Sequence, residues 1–241
     1  MKNHSENYPT EEKNNMHVNR KNIGNFWPIP RTGTKYLAVS THNQTSSIPL
    51  IVIMRDILHL VQTKKELKKL LSEKQVMVNH NIIRETNYGV SLFDSINIPL
   101  IKKNYTASLN EHKKMIFNET SEKSCEKRVF KVIGKKKLAG NTMQINLLSG
   151  RNARTKEDVS VDDSILYNTK TNTVEKIIKM SASKKAYVIK GKHIGTSGTI
   201  ESIIEQGGKK LVIIKTHGQT PISVWIKNVI VMEEIKHETK H

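Results

Sequence analysis

Lys190-Gly191-Lys192-His193-Ile194-Gly195-Thr196-Ser197-Gly198-Thr199-Ile200 places three glycines and two lysines between two runs that alternate like strands. Tyr187-Val188-Ile189 leads in, and Thr199-Ile200-Glu201-Ser202-Ile203 leads out. Glycine reaches φ > 0 without steric cost, so Gly191, Gly195 and Gly198 permit tight backbone turns at this spacing. Such turns leave backbone N–H groups and the Lys190 and Lys192 ammoniums facing outward, beside His193, on a surface suited to phosphate. Beyond the hairpin, Gly207-Gly208 turns into Lys210-Leu211-Val212-Ile213-Ile214. Val224-Trp225-Ile226 and Val229-Ile230-Val231 read as the last strands of a small β-barrel over 181–235, followed by a tail at 236–241.

Upstream, the signals from Val129 onward are also β. Val129-Phe130-Lys131-Val132-Ile133, Met143-Gln144-Ile145-Asn146-Leu147 and Asp163-Ser164-Ile165-Leu166-Tyr167 read as strands separated by turns at Gly134, Gly140 and Gly150. Lys135, Lys136 and Lys137 after Gly134, and Arg151 and Arg154 after Gly150, are expected on loop tips. Residues 101–128 are charged and poor in apolar residues, a linker or a mobile hairpin leading into a central β domain over 101–180.

Residues 48–100 carry the helical signals. Pro49 suits the first turn of a helix whose broad apolar face runs from Leu50 to Val61. Thr63-Lys64-Lys65-Glu66 is a capping box opening a second helix, with Leu67, Leu70 and Leu71 on one face and Lys64, Lys65, Lys68 and Lys69 on the other. Such a lysine face is ordinarily just solvated. A strand pair follows, Gln75–Val78 and Ile82–Arg84, turning through Asn79-His80-Asn81, since Asn and His tolerate the left-handed region. Ahead of this unit, residues 17–47 form an extended arm: Trp27-Pro28-Ile29-Pro30-Arg31 excludes a helix interior, and Phe26 and Trp27 anchor it. Residues 1–16 are polar and read as a disordered tail; Met16, directly before His17, offers an alternative translation start.

Composition narrows the partner. The chain has 241 residues with 40 Lys+Arg against 22 Asp+Glu, a formal charge of +18. Every stretch is positive: +3 over 1–47, +2 over 48–100, +8 over 101–180 and +5 over 181–241. A surplus of this size points to a polyanion. No apolar run approaches the ~18 residues that span a bilayer, so no membrane partner is expected. A single cysteine, Cys125, excludes an internal disulfide framework and fits a reducing cytoplasm. Only seven of the basic residues are Arg. Lysine meets phosphate as a point charge, whereas planar reading of base edges favours Arg, so backbone and shape recognition is expected.

Taken together, the segments carry a family resemblance. The glycine–lysine hairpin resembles a KOW motif, and the helix–helix–strand unit resembles an alpha-L RNA-binding domain, with Arg55 in Arg55-Asp56-Ile57-Leu58 at a basic position. Arg55 serves equally well as half of a structural ion pair. His17-Val18-Asn19-Arg20, the stretch Trp27–Tyr36, Ile48-Pro49-Leu50, Gln144–Leu147, Gly150-Arg151-Asn152 and Gly191–Gly195 follow in the order of the small-subunit ribosomal protein "four-e" family of archaea and eukaryotes. The Trp-Pro-Ile-Pro wording is closer to the archaeal form. Residues 17–232 are covered. The sequence departs from the family at Val78-Asn79-His80, at Gly89-Val90-Ser91 and at Leu148-Ser149. The resemblance implies a multidomain α+β protein: an alpha-L domain, a central β domain and a C-terminal KOW barrel. It further implies a structural constituent of the small ribosomal subunit, in the cytoplasm, bound to small-subunit rRNA and neighbouring ribosomal proteins. Candidate RNA contacts are Arg20, Lys21, Arg31, Lys35, Arg55, Lys64, Lys65, Lys68, Lys69, Arg84, Lys135, Lys136, Lys137, Arg151, Arg154, Lys190, Lys192 and His193.

Catalytic readings fail on context. Lys179-Met180-Ser181-Ala182-Ser183-Lys184 and His193-Ile194-Gly195-Thr196 resemble the two nucleotide motifs of class I aminoacyl-tRNA synthetases, but in reversed order, about ten residues apart and without a βαβ setting. Gly150-Arg151-Asn152 lacks the catalytic Asp of a pseudouridine synthase. The histidines and Cys125 show no metal-ligand spacing, and the glycine hairpin lacks the Gly-Lys-Ser/Thr ending of a P-loop. No enzyme activity, cofactor, metal or small-molecule substrate is expected. A free KOW-type assembly or transcription factor, or an accessory of an RNA-modifying or tRNA-acylating enzyme, are the alternatives.

Overall fold

Alternating burial sorts the strands into three five-stranded antiparallel sheets, each over its own apolar cluster. The computed structural model describes residues 17–110, 112–138, 140, 142–148, 150–216 and 220–232. The expectations for residues 1–16, the start at Met16, Ser149 and the tail at 236–241 lie outside the described residues. The fold is α+β and mostly β, with few and short helices.

The first sheet runs in the order Asn81–Ile82, Met77–Val78, Ser95–Ile98, Lys103–Leu109, Met115–Glu119. Its last two strands come from the stretch expected as a linker or mobile hairpin. Tyr105, Ala107 and Met115 are buried there, too few apolar residues to stand out against the surrounding charge. Leu50–Val52 is α-helical and widens into a π-type turn over Ile53–Ile57, where the Leu58 N–H donates to Ile53 O at 2.8 Å. This helix is shorter than the apolar run to Val61 suggested, and Pro49 is its N-cap, the last residue of a short strand. Its orphan donors are met by the neighbouring chain: Leu50 N–H donates to Tyr88 O and Ile51 N–H to Thr86 O. The second helix, Lys64–Ser72, begins at Thr63, whose hydroxyl accepts from Glu66 N–H at 3.2 Å. Glu66 reaches back to the Gln62 N–H at 2.8 Å. Leu67 and Leu71 fill the core beneath it. The strand turn closes on two successive left-handed residues, Asn79 at φ 52° and His80 at φ 62°.

The second sheet runs Asn152–Thr155, Met143–Leu147, Lys127–Lys137, Ser164–Asn168, Thr173–Ile178. Gly134 lies inside the long central strand, contrary to the turn expected there, so Lys135, Lys136 and Lys137 extend a strand and do not cap a loop. The register with Met143–Leu147 shifts between Val132 and Gly134, which pushes Ile133 outward to 52% exposure. The third sheet runs Ile222–Trp225, Lys209–Lys215, Ser197–Gln206, Lys185–Val188, Val229–Val231.

Two buried cations on the central strand join the sheets. Arg128 pairs with Asp94 and donates to Leu92 O at 2.8 Å; Asp94 in turn accepts from the Asn79 amide and from Ser91 N–H. Three residues on, Lys131 donates to the carbonyls of Ile226 and Val229 and meets Asp162 at 3.1 Å. Val129, Ile189 and Ile230 bury an apolar seam between the same three sheets, extended by Phe93 edge-on to Tyr187 at 5.5 Å.

Removing one member of a buried ion pair orphans the other. Asp94→Ala is therefore expected to lower unfolding free energy by about 3–5 kcal/mol, measured by denaturant titration, against within about 0.5 kcal/mol for Lys68→Ala on the exposed helix face.

Candidate nucleic-acid interface

The glycine hairpin is a built loop. Gly191 has φ 96° and Gly195 φ 86°. Hydrogen bonds from Ile194 N–H to Gly191 O and from Thr196 N–H to His193 O wind two successive turns, and Gly195 N–H to Val188 O closes the base. Gly198 corrects the sequence reading: it is a strand residue, not a turn residue, and it is required for close approach. A Cβ on it would lie 2.4 Å from Lys215 O. Lys190 and Lys192 are exposed and His193 half-buried. The loop leans on the hairpin of the first sheet. A Cβ on Gly195 would meet Asn110 O at 3.2 Å, and the Lys113 ammonium donates to Lys192 O at 2.7 Å.

The other candidates fall into three groups. On the second helix, Lys64, Lys65, Lys68 and Lys69 are all exposed, and among the described residues none of them pairs with a carboxylate. Arg84 is exposed as well, whereas Arg55 is held two-pronged by Asp56 at 2.8 and 2.9 Å, which raises its pKa. On the second sheet, Lys136, Lys137 and Arg154 are exposed and Arg151 is half-buried. Lys135 is tied to Val159 O at 2.8 Å.

On the arm, Arg20 is committed to holding its own loop together. Its guanidinium donates to Thr34 O at 2.7 Å, Pro30 O at 2.6 Å and the Thr34 hydroxyl at 3.0 Å. Lys21, Arg31 and Lys35 are exposed, and the Lys35 ammonium stands 5.2 Å from the Tyr36 ring centroid.

Three features escaped the sequence reading. Lys113 and Lys114 lie on the stretch expected as a linker or mobile hairpin, and the adjacent apolar run Met115-Ile116-Phe117 was the signal for a strand there. Trp225 is 48% exposed with Lys209 at 4.6 Å from its ring, a basic–aromatic pair split between two strands. Arg128 and Lys131 sit in an apolar run with nothing local to mark them as buried ties. The synthetase-like decoys are turns: Lys179–Lys184 joins the second and third sheets, with Ser183 at φ 67°, and His193–Thr196 is the glycine loop itself. Among the described residues no group of His, Cys, Asp and Glu could hold a metal, and no helix is long and apolar enough to cross a membrane.

Small antiparallel sheets with cations on an arm, a helix face and loop tips define a basic α+β protein with surfaces suited to a polyanion. The profile of Ribosomal family S4e matches residues 101–174. A small ribosomal subunit protein eS4 of Nanoarchaeum equitans is 26% identical over 224 residues, covering 90% of this chain and 95% of that one. The eS4 protein of Methanocella arvoryzae is 27% identical, covering 83% and 87%. The crystal structure of the 30S ribosomal protein S4e from Thermoplasma acidophilum superposes with a TM-score of 0.66 at 26% identity, over 80% of this chain and 97% of that one. The chain is thus similar to proteins of ribosomal family S4e over most of its length.

The loop glycine Gly195 and the strand glycine Gly198 separate by mechanism. Gly195→Val is expected to cost about 1–3 kcal/mol from left-handed strain. Gly198→Val is expected to cost more and to loosen the strand pairing, because its Cβ meets the Lys215 carbonyl and the buried Ile214 Cγ2, neither of which can swing aside. Thermal melting of both variants checks the order.

Proposed function

We propose that this chain is a structural constituent of the small ribosomal subunit that binds rRNA mainly through phosphate and shape. The observation that carries this reading is the near full-length similarity to proteins named small ribosomal subunit protein eS4, in a chain whose positive charge is spread over every segment. The protein is not an enzyme; its place is the cytoplasmic ribosome, with rRNA and neighbouring ribosomal proteins as partners. The two helices and first sheet act as the alpha-L unit, the second sheet as the central β domain, and the third as the KOW barrel. The paired helices, the lysine face and the docked glycine loop support that assignment.

Exposed lysines neutralise phosphates and release counterions, so affinity falls as salt rises. If about eight phosphates are contacted, raising salt from ~50 to ~200 mM is expected to weaken binding roughly 10³–10⁵-fold. Replacing Lys64, Lys65, Lys68 and Lys69 with Ala is expected to flatten the logarithmic salt slope by about 3 and to weaken unrelated RNAs too. An unchanged slope means that this face is only solvated.

Lys192→Ala is expected to melt like the parent and bind a small-subunit rRNA fragment more weakly; equal binding removes the hairpin from the interface. Sedimentation at high salt separates the remaining readings. A structural constituent migrates stoichiometrically with mature small subunits, whereas an assembly factor is confined to precursors.

A further inference from the structure

The arm encloses a cleft of about 410 Å³ against the hairpin of the first sheet. Its rim carries four cations, Arg20, Lys21, Arg31 and Lys114, and among the described residues its lining contains no carboxylate. Its floor is apolar, with Trp27 and Ile29 both nearly buried. The walls are fixed before any ligand arrives. Lys114 donates from its ammonium to Trp27 O at 3.0 Å, Met115 N–H donates to Phe26 O at 2.8 Å, and Trp27 N–H returns to Gly24 O at 3.2 Å. Arg20 holds the loop from Pro30 to Thr34 closed over one side.

Size and chemistry together select the occupant. Bare phosphate needs the cations and has no use for an apolar floor. The volume lies within the ~300–1,000 Å³ typical of small-ligand clefts, enough for a base and sugar as well. An acidic peptide would use the cations, yet the same arm also displays an aromatic platform. Tyr36 is 50% exposed, meets His17 edge-on at 4.6 Å and pairs with Asn19 across the arm hairpin, where the Arg20 N–H donates to Lys35 O at 2.8 Å. A basic cleft beside an exposed ring with a lysine over it is how single-stranded nucleic acid is held: backbone on the cations, bases on the rings.

We infer that the cleft takes one unpaired nucleotide of an RNA strand, its phosphate on Lys21, Arg31 and Lys114 and its base over Trp27 and Ile29, while the neighbouring base stacks on Tyr36. Asn25, exposed at the lip, offers its amide to the edge of the base. The inference rests on the rRNA reading above and adds to it a contact that double-stranded RNA cannot make.

The test uses the full chain in a Trp225→Phe background, which leaves Trp27 as the only tryptophan. Ribonucleoside monophosphates are expected to change its emission, and inorganic phosphate at the same concentration is not. Asn25→Phe, which fills the cleft from an exposed position, is expected to abolish that change. The same variant is expected to weaken binding to a small-subunit rRNA fragment about tenfold while leaving a continuous RNA duplex bound as before. A second variant, Lys21→Ala with Arg31→Ala, alters only exposed residues, and its melting temperature reports whether the fold is kept; it is expected to lose the response to monophosphate. No emission change with monophosphate, or equal weakening of fragment and duplex by Asn25→Phe, overturns the cleft and leaves the rRNA reading standing. A parent protein that binds neither RNA overturns the rRNA reading, and the monophosphate titration then decides the cleft alone.

Discussion

The architecture depends on two cations buried in one strand. Arg128 and Lys131 lie on Lys127–Lys137 and reach in different directions, one to Asp94 of the first sheet and one to the carbonyls of Ile226 and Val229 beside the third. Taking such groups out of water costs several kcal/mol each unless charge and hydrogen bonds replace the lost solvent. Arg128 finds a carboxylate and a carbonyl and lies 4.3 Å from the Phe130 ring, with only its Nε unmatched. For Lys131, burial pulls the pKa down and Asp162 pulls it back up. Arg128 is satisfied only with the first sheet in place and Lys131 only with the third, so together the ties specify one mutual arrangement where an apolar seam alone would tolerate sliding.

This division of labour runs through the basic residues. Three of the seven arginines, Arg20, Arg55 and Arg128, spend their planar forks on carbonyls or carboxylates of the chain itself. The cations left facing solvent are mostly lysines, spread over the arm, the second helix, the central strand and the glycine loop. Forked donors suit fixed geometry, and flexible point charges suit a polyanion whose phosphates vary in position. The surface therefore matches recognition by charge distribution and shape.

Much of this was legible in the sequence, for local reasons. Thr63 and Glu66 marked the second helix start because a capping box is a contact within four residues. Asn79-His80 marked a turn without glycine, and both residues adopt the left-handed region. Where the reading failed, the deciding partner was remote. Lys103–Leu109 and Met115–Glu119 read as a linker or mobile hairpin, and not as part of a sheet, because their buried residues face a core supplied by residues 27–98. Gly134 read as a turn, yet the strand runs through it with one residue bulged out, which hydropathy cannot show. Gly198 read as a turn residue, although its constraint is the carbonyl of Lys215. Arg20 and Lys135 read as free cations while their acceptors lie on loops brought back by the fold. The cleft on the arm was invisible for the same reason, since Lys114 joins Lys21 and Arg31 only after the hairpin folds against the arm.

The contact between the glycine loop and the Leu109–Lys114 hairpin has a consequence for the order of events during synthesis. The first sheet is built from residues 77–119, so nearly all its pairings close over short stretches of chain and form early as the polypeptide emerges. The loop at Gly191–Thr196 is made some eighty residues later and takes its shape against a surface already finished, with the Lys113 ammonium waiting for Lys192 O. The N-terminal half is thus the mould in which the last basic loop sets. A C-terminal half made on its own would carry the same glycines and lysines without the template that fixes them.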